Sequence, residues 1–263
     1  MRHVEHVMGT VFSFDVRHEP SGGLREALGE AVAELHRIDE VFSTYREGSP
    51  VSRLGRGEIT LAGCPEEVAE VLALCEEAAR VSSGYFTSAP GGRLDPSGMV
   101  KGWAVERVSA MLAGAGASRH SVNGGGDVRV RGEAAPGRPW RVGVAHPLRP
   151  GALATVVSGR DLAVATSGVA ERGAHIVDPH TGAPATALAS VTVVAESLTR
   201  ADAMATAAFA MGEAAREWAE GLPGLEAFAV TRSGTAWWTG GFPRYGPTPR
   251  HKPQMMCYDV IDS

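Results

Sequence analysis

Two side-chain oxygens with helical spacing stand out in the segment SLTRADAMATAAFAMG. Asp202 and Thr206 are four residues apart, so on a helix both project from one face. Two hard oxygen donors on a rigid scaffold suit Mg²⁺, which keeps waters or substrate phosphates in its other octahedral positions. The same segment allows a second interpretation, because Thr199 and Asp202 fit a capping box in which Asp202 serves only the start of the helix.

A second polar feature is the segment DPSGMVKGW, which places Asp95, Gly98, Lys101 and Gly102 where a helix is expected to begin. Free backbone N–H groups and the positive end of a helix dipole favour a phosphate at such a position, and Lys101 would add a positive charge. The alternative is an ordinary turn with a solvated lysine. The segment is not a P-loop, because GxxxxGK[ST] is absent.

The best candidate for a general base is His175, in the Pro- and Gly-punctuated loop ATSGVAERGAHIVDPHTGAP. An unperturbed histidine pKa of about 6.5 permits proton transfer near neutral pH. The alternative is a histidine that only bonds loop carbonyls. Asp127, which follows three glycines in NGGGDVRV, is either the next candidate for the base or a residue that bonds its own turn. Neither GxSxG nor GxGxxG followed by a helix occurs, which disfavours a serine hydrolase and a nicotinamide site.

Hydrophobic periodicity predicts the elements that must position these groups. Helices are expected over 22–42 with Ser21 as the cap, from Pro65 to about Gly84, after DPSG, and over roughly 200–220. The segment FSTYREGSPVSRL is expected to be a polar loop. Strands are expected in the segments SVNGGGDVRVRG, WRVGVAHP, GALATVVSG, DLAVATSG and ASVTVVAES, and a closing hairpin in LEAFAVTRSGTAWWTGGF with Ser233 and Gly234 in its turn. Helices early and strands late indicate an α+β layout.

Composition excludes several broad classes of function. The 263 residues include 25 Lys plus Arg and 30 Asp plus Glu, a formal charge of −5, so neither nucleic acid nor an anionic membrane is an expected partner. Three cysteines without CxxC spacing argue against a disulfide framework and a structural zinc site. Without an apolar run of about 18 residues or a signal-peptide pattern, we expect a cytoplasmic protein with no membrane span.

Seven segments taken in order resemble the ApbE family of FAD:protein FMN transferases. They are MGTVFSFDV, FSTYREGSPVSRL, SGYF, LDPSGMVKGWAVE, VNGGGDVRVRG, TSGVAERGAHIVDPHTG and VTVVAESLTRADAMATAAFAMG, and the resemblance covers roughly residues 4–242. It implies an α+β fold with a mixed β-sheet core and flanking helices, in T-fold-like two-layer sandwiches. The corresponding domain would span 1–243, leaving a tail of unknown role over 244–263.

The resemblance also implies a set of site residues. FAD contacts would fall on Met8, Tyr45, Tyr85, Phe86, Thr87, Asp95, Lys101 and Ile176. Metal ligands would be Asp202, Thr206 and the backbone carbonyl of Gly98, and His175 would assist catalysis. This chain departs from the family pattern at Thr87, where many members have Asp, and in the short segment between SGYF and LDPSG.

The implied reaction is a Mg²⁺-dependent transfer of FMN from FAD to a Thr or Ser hydroxyl of an acceptor flavoprotein, with AMP leaving. Two other functions fit the same residues. With water as the acceptor the protein would be an FAD pyrophosphatase that yields FMN and AMP. A flavin carrier would instead bind FAD without cleaving it.

Overall fold

The computed structural model describes residues 1–19, 21–168 and 176–248. The α-helices are α1 Gly22–Phe42, α2 Pro50–Gly55, α3 Glu66–Val81, α4 Ser97–Gly114, α5 Leu198–Met211 and α6 Ala215–Glu220. The strands are β1 Arg2–Val7, β2 Thr10–Val16, β3 His120–Gly124, β4 Asp127–Arg131, β5 Trp140–Ala145, β6 Leu153–Gly159, β7 Ala163–Gly168, β8 Leu188–Ala195, β9 Leu225–Thr231 and β10 Ala236–Trp238.

Eight of the strands form one sheet in the order β1-β2-β3-β4-β7-β8-β9-β10, and β5 pairs with β6 in a separate hairpin. All of these pairings are antiparallel. Alternate residues of the central strands point to opposite faces of the sheet. Ala163, Ala165, Val191 and Val193 belong to the core cluster that contains the helices, whereas β5 and β6 share a cluster with a different set of side chains. That set includes Val128, Val164, Val194 and Phe228. The α+β class predicted from the sequence is confirmed. The resemblance implied a mixed sheet, but the pairings of these strands are all antiparallel.

The first helix is confirmed at both of its predicted ends. It spans Gly22–Phe42, and the Ser21 Oγ accepts a hydrogen bond from the backbone N–H of Leu24 at 3.2 Å. Its inward stripe includes Leu35 and Ile38, which are fully buried. The predicted turn of the closing hairpin is confirmed as well, because Gly234 adopts a φ of +84° between β9 and β10.

Three predictions of local structure were wrong in detail. The helix expected over 200–220 breaks at Gly212, whose φ of +64° ends α5 before α6 begins. The expected loop FSTYREGSPVSRL contains α2, because Ser49 Oγ accepts from the N–H of Ser52 and Pro50 begins the helix. The segment SVNGGGDVRVRG is not one strand but the hairpin β3–β4.

Within the part of the chain that the structure describes, no helix is long and apolar enough to cross a membrane. The final described residues run along the β5–β6 hairpin. The backbone N–H of Ser158 donates to the carbonyl of Tyr245 at 2.6 Å, and Thr155 Oγ1 donates to the carbonyl of Pro247 at 2.7 Å.

Candidate functional site

The close approach of α4 to α5 sets the geometry of the site, and Gly102 permits it. A Cβ on Gly102 would lie 2.6 Å from the carbonyl oxygen of Leu198 and 2.7 Å from the Cβ of Asp202. Carbon atoms in ordinary contact are about 3.5 Å apart, so only glycine fits at this crossing. The Gly102 backbone N–H then donates to Asp202 Oδ2 at 2.9 Å.

That hydrogen bond rules out one of the two interpretations of Asp202. The N-cap of α5 is Ser197, and the Asp202 carboxylate lies buried against α4 instead of capping its own helix. The capping-box interpretation is therefore wrong. The first N–H of α5, on Leu198, is bound by Glu106 Oε2 of α4 at 2.7 Å.

Three charged side chains from three elements meet beside this crossing. Lys101 Nζ of α4 contacts Asp127 Oδ2 of β4 and lies 3.1 Å from Asp202 Oδ2 of α5. Lys101 is 21% exposed at its side chain, whereas the two carboxylates are only 3% and 8% exposed. The alternative of a solvated lysine is thus wrong, because the Lys101 ammonium compensates two buried negative charges.

Asp127 does not bond its own turn, as one interpretation of the sequence had it. Its Oδ1 accepts from the backbone N–H of Thr166 on β7 at 2.8 Å. The turn after the glycines is instead closed by Asn123, whose Oδ1 accepts from the N–H of Gly126 at 2.9 Å. Asp127 is therefore fixed by the sheet with its second oxygen directed at Lys101.

The donors expected to hold a divalent cation lie together on α4 and α5. A Cβ on Gly98 would lie 4.0 Å from the Cγ2 of Thr206, so the two residues are neighbours across the crossing. In a regular helix the N–H of Gly102 would donate to the carbonyl of Gly98. Asp202 Oδ2 also accepts from this N–H and therefore competes with the Gly98 carbonyl for it. A carboxylate, a hydroxyl and a carbonyl are the hard oxygen ligands that Mg²⁺ takes, so these residues fit the ion. No group of three His, Cys, Asp or Glu side chains converges as a metal site within the described residues.

A cavity of about 720 Å³ opens beside these groups. It brings together ten of the residues singled out from the sequence. They are Tyr45, Tyr85, Phe86, Thr87, Asp95, Gly98, Lys101, Ile176, Asp202 and Thr206. Met8 does not line the cavity, and His175 lies outside the described residues.

Met8 occupies the turn between β1 and β2 with a φ of +55°. This turn adjoins the cavity, because Gly125, which does line it, packs against Thr10: a Cβ on Gly125 would lie 2.6 Å from the Thr10 Oγ1. The Gly125 N–H also donates to the carbonyl of Val11 at 3.0 Å. The β1–β2 and β3–β4 turns therefore lie at the same end of the sheet.

One wall of the cavity is aromatic. Phe86 is buried, with its backbone N–H bound by Ser82 Oγ at 2.8 Å, and it packs against Gly98, where a Cβ would lie 3.4 Å from the ring. The rings of Tyr85 and His180 meet edge to face at 4.5 Å between centroids. Tyr45 is 97% exposed at the margin, a position from which an aromatic ring can cover a planar ligand.

Short turns present the remaining polar groups. Asp95 Oδ1 accepts from the N–H of Ser97 at 3.0 Å and so fixes the entry to α4. Thr87 Oγ1 accepts from the N–H of Ala89 at 3.0 Å. In the turn after Ile176, Asp178 accepts from the N–H of His180 and from Thr181, and the hydrogen bond from His180 is the main reason that the pKa of Asp178 is lowered.

Sequence reasoning missed His146, which lines the cavity at the end of β5. Its Nδ1 accepts from the backbone N–H of Leu148 at 3.2 Å, so a neutral ring keeps its proton on Nε2 and has no second lone pair with which to take a proton. Burial also lowers its pKa. The only sequence signal was a histidine directly after an alternating strand.

Sequence reasoning also missed the role of Glu106. Its Oε1 accepts from Arg129 Nε at 2.9 Å and Arg131 Nη2 at 3.2 Å, while Oε2 binds the N–H of Leu198. One carboxylate therefore joins α4, α5 and the strand β4. These are the elements that provide Lys101, Asp202 and Asp127.

A second cavity of about 970 Å³ lies on the other side of α4 and α5. Trp103, Met99 and Met204 line it among other apolar side chains, and Glu34 and Arg107 are among its charged ones. None of the site residues predicted from the sequence lines this cavity. The predicted site residues that line a cavity therefore all line the smaller one, of about 720 Å³.

The sequence model of the ApbE family matches residues 8–92 and 86–229, which together make up most of the chain. This chain belongs to the ApbE family. The match includes both helices of the crossing, so the cavity beside that crossing is formed by residues of the family region. The family predicted from the seven sequence segments is confirmed.

Individual relatives of this ApbE-family chain agree with that assignment. A FAD:protein FMN transferase from Vibrio cholerae is 35% identical over 130 residues, which are 46% of this chain and 39% of that protein. The matched segments span less than half the length of the FAD:protein FMN transferases from Vibrio cholerae, Haemophilus influenzae and Klebsiella pneumoniae.

Solved structures agree over nearly the whole chain. The flavin transferase ApbE from Vibrio cholerae has a TM-score of 0.81 at 21% identity, with 93% of this chain and 98% of that chain covered. The apo form of the Pseudomonas stutzeri flavinyl transferase ApbE has a TM-score of 0.77 at 25% identity, covering 94% and 97%. The likeness to the Vibrio cholerae structure, at that identity, shows the fold alone.

Proposed function

We propose that this protein is an FAD:protein FMN transferase that uses FAD as substrate, requires Mg²⁺ and modifies a Thr or Ser of an acceptor protein. The observation that supports this most directly is the cavity in which Lys101, Asp202 and Thr206 meet an aromatic wall formed by Tyr85 and Phe86. A flavin dinucleotide needs both kinds of surface, because it combines a planar aromatic ring with a doubly charged pyrophosphate. The similarity to FAD:protein FMN transferases from Vibrio cholerae and Escherichia coli supports the same activity.

The phosphorus chemistry requires positioning and charge neutralisation more than covalent assistance. The acceptor hydroxyl oxygen forms a bond to the FMN phosphorus, the bond from that phosphorus to the AMP oxygen breaks, and AMP departs as the leaving group. Asp202, Thr206 and the carbonyl of Gly98 would hold Mg²⁺, which when bound neutralises pyrophosphate charge. Lys101 lies close enough to the same place to add a positive charge to the phosphates.

The apolar and aromatic side of the cavity would bind the flavin ring. Phe86 and Ile176 are buried and provide an apolar surface, while Tyr45 lies exposed at the margin. Thr87 and Asp95 hold their turns by hydrogen bonds to backbone N–H groups and so shape the wall between them. Met8 lies in the turn that adjoins the cavity at Gly125 and would touch the ligand only from there.

We assign the proton of the acceptor hydroxyl to His175, one residue before Ile176. His146, which lines the cavity, is a poor base because its Nδ1 already accepts a hydrogen bond. Losing a general base costs about 10² to 10⁴ in rate. His175→Ala should therefore lose that factor at saturating FAD and Mg²⁺ with little change in FAD affinity, and His146→Ala should not.

The decisive experiment incubates the protein with FAD and Mg²⁺, with and without a Thr-containing acceptor peptide, and measures AMP and peptide-bound flavin. Transfer requires AMP and flavinylated peptide in equal amounts. AMP without labelled peptide would indicate a pyrophosphatase, and FAD binding without AMP would indicate a carrier. Either result would overturn the proposal.

Asp202→Asn provides the matched test of the metal role. Asparagine keeps the shape and an oxygen for the Gly102 N–H but removes the anionic ligand. AMP release should fall by at least about 100-fold while the melting temperature changes little. Asp161→Asn, at the turn before β7 and remote from the cavity, should retain activity. The cytoplasmic location and the domain boundary at 243 remain predictions.

A further inference from the structure

The charge cluster beside the α4–α5 crossing contains one cation for two buried anions. Lys101 contacts Asp127 and lies 3.1 Å from Asp202, so its ammonium is shared between them. Asp127 Oδ2 is buried and has no hydrogen-bond partner within the described residues apart from this ionic contact. The cluster as a whole keeps one negative charge.

The two carboxylates differ in what else holds them. Asp127 is anchored through its other oxygen by the backbone N–H of Thr166, on the rigid centre of the sheet. Asp202 lies on α5, one turn before Thr206, and is the carboxylate expected to bind Mg²⁺. The ammonium and a divalent cation would therefore compete for one oxygen of Asp202, because like charges repel strongly at such distances in a buried site.

We propose that Asp127 is a positioning residue that holds Lys101 away from Asp202 whenever a divalent cation binds there. In its absence the ammonium would pair with Asp202 alone and block the metal. With Asp127 present, Lys101 can withdraw to a second buried anion without losing its compensation, and it remains beside the phosphates. This inference rests on the proposed function only in taking Asp202 as the metal ligand.

The test compares wild type, Asp127→Asn and the double variant Asp127→Asn/Lys101→Met. Each is titrated with Mn²⁺ in the absence of FAD, and the free ion is measured by electron paramagnetic resonance. Asparagine retains the oxygen for the Thr166 N–H. The double variant keeps the wild-type cluster charge of −1, so folding should be preserved, and thermal melting checks this for every protein.

Asp127→Asn should weaken Mn²⁺ binding by about tenfold or more, and removing Lys101 in addition should restore the affinity to within about threefold of wild type. If the double variant bound Mn²⁺ as weakly as Asp127→Asn, Lys101 would not be the group that blocks the metal, and the inference would be overturned. An unchanged affinity in Asp127→Asn would overturn it equally. Asp161→Asn is the control for loss of a remote carboxylate.

The result also separates this inference from the proposed function. If wild type binds Mn²⁺ and shows the expected pattern but releases no AMP from FAD, the transferase assignment fails and the role of Asp127 stands. If wild type binds Mn²⁺ neither alone nor with FAD, the metal assignment of Asp202 fails and the role of Asp127 fails with it.

Discussion

Gly102→Ala tests how closely the site depends on the crossing of α4 and α5. The added methyl group would lie 2.7 Å from the Cβ of Asp202 and 2.6 Å from the carbonyl oxygen of Leu198. Carbon atoms pack at about 3.5 Å, so α5 would have to move outward by about 0.8 Å. A shift of that size would lengthen the hydrogen bond from Gly102 to Asp202, now 2.9 Å, beyond useful range.

Two effects of opposite sign set the change in stability. Alanine favours a helix over glycine by about 1 kcal/mol, and overpacking a close contact costs about 1–3 kcal/mol. Backbone and Cβ atoms cannot rotate away as a flexible side chain would, so we expect the overpacking to dominate and the free energy of unfolding to fall by up to about 2 kcal/mol. The melting temperature should fall by up to about 8 °C.

The matched control is Gly29→Ala in α1, where nothing lies within 4 Å of the added Cβ. This variant should gain about 0.5–1 kcal/mol and bind Mn²⁺ as wild type does. Chemical denaturation and Mn²⁺ titration on both variants measure the two effects separately. If Gly102→Ala is as stable as Gly29→Ala and keeps its Mn²⁺ affinity, the α4–α5 crossing has room for a Cβ and the site does not depend on a glycine at this position.

Three further perturbations test the supporting interactions. Glu106→Ala should lower the free energy of unfolding by about 2–4 kcal/mol, since it leaves the buried Arg129 without this ion pair and the N–H of Leu198 unbound. Glu77→Ala, at an exposed ion pair, is the control and should lower it by only about 0–0.5 kcal/mol, as chemical denaturation measures. Burial lowers the pKa of His120, so unfolding takes up a proton when the pH is below the unfolded pKa of about 6.5. The free energy of unfolding should therefore decline by up to about 1.4 kcal/mol for each pH unit of acidification below about 6.5, and His120→Gln should reduce this pH dependence. Hydrogen bonding to arginine lowers the pKa of Glu34 to about 2. Its contribution of about 1 kcal/mol to the free energy of unfolding should be complete above pH 4.5 and lost on acidification toward pH 2. Glu34→Gln should abolish this change in melts measured as a function of pH.

The parts of the fold predicted well from the sequence are those that local pattern determines. The stripe of α1 repeats at helical spacing for 21 residues and carries its own cap at Ser21, so no distant contact is needed to fix its ends. The β1–β2 hairpin was missed because its turn uses Met8 at a φ of +55°, a conformation that this residue type does not indicate. The break at Gly212 had a visible signal, a glycine after a run of small apolar residues.

The candidate site was predicted residue by residue through family resemblance, but its electrostatics were not. Thr199 and Asp202 satisfy a local capping pattern, and only the contact with Gly102, 100 residues earlier, shows that the carboxylate is used elsewhere. The same holds for Lys101. Its pairing with Asp127 depends on the order of strands in the sheet, which no local spacing predicts.

Two charged networks join α4, α5 and β4, one centred on Glu106 and one on Lys101. They differ in charge balance, and this difference indicates what each network does. Glu106 has two arginines and a helix N–H for one carboxylate, so its network has an excess of donors and no use for a further cation. Lys101 faces two buried carboxylates, so its cluster has an excess of negative charge beside an open cavity. Buried excess charge is costly unless a ligand compensates it. The first network therefore holds the three elements together, and the second is a place where a cation bound with an anionic substrate would restore the charge balance.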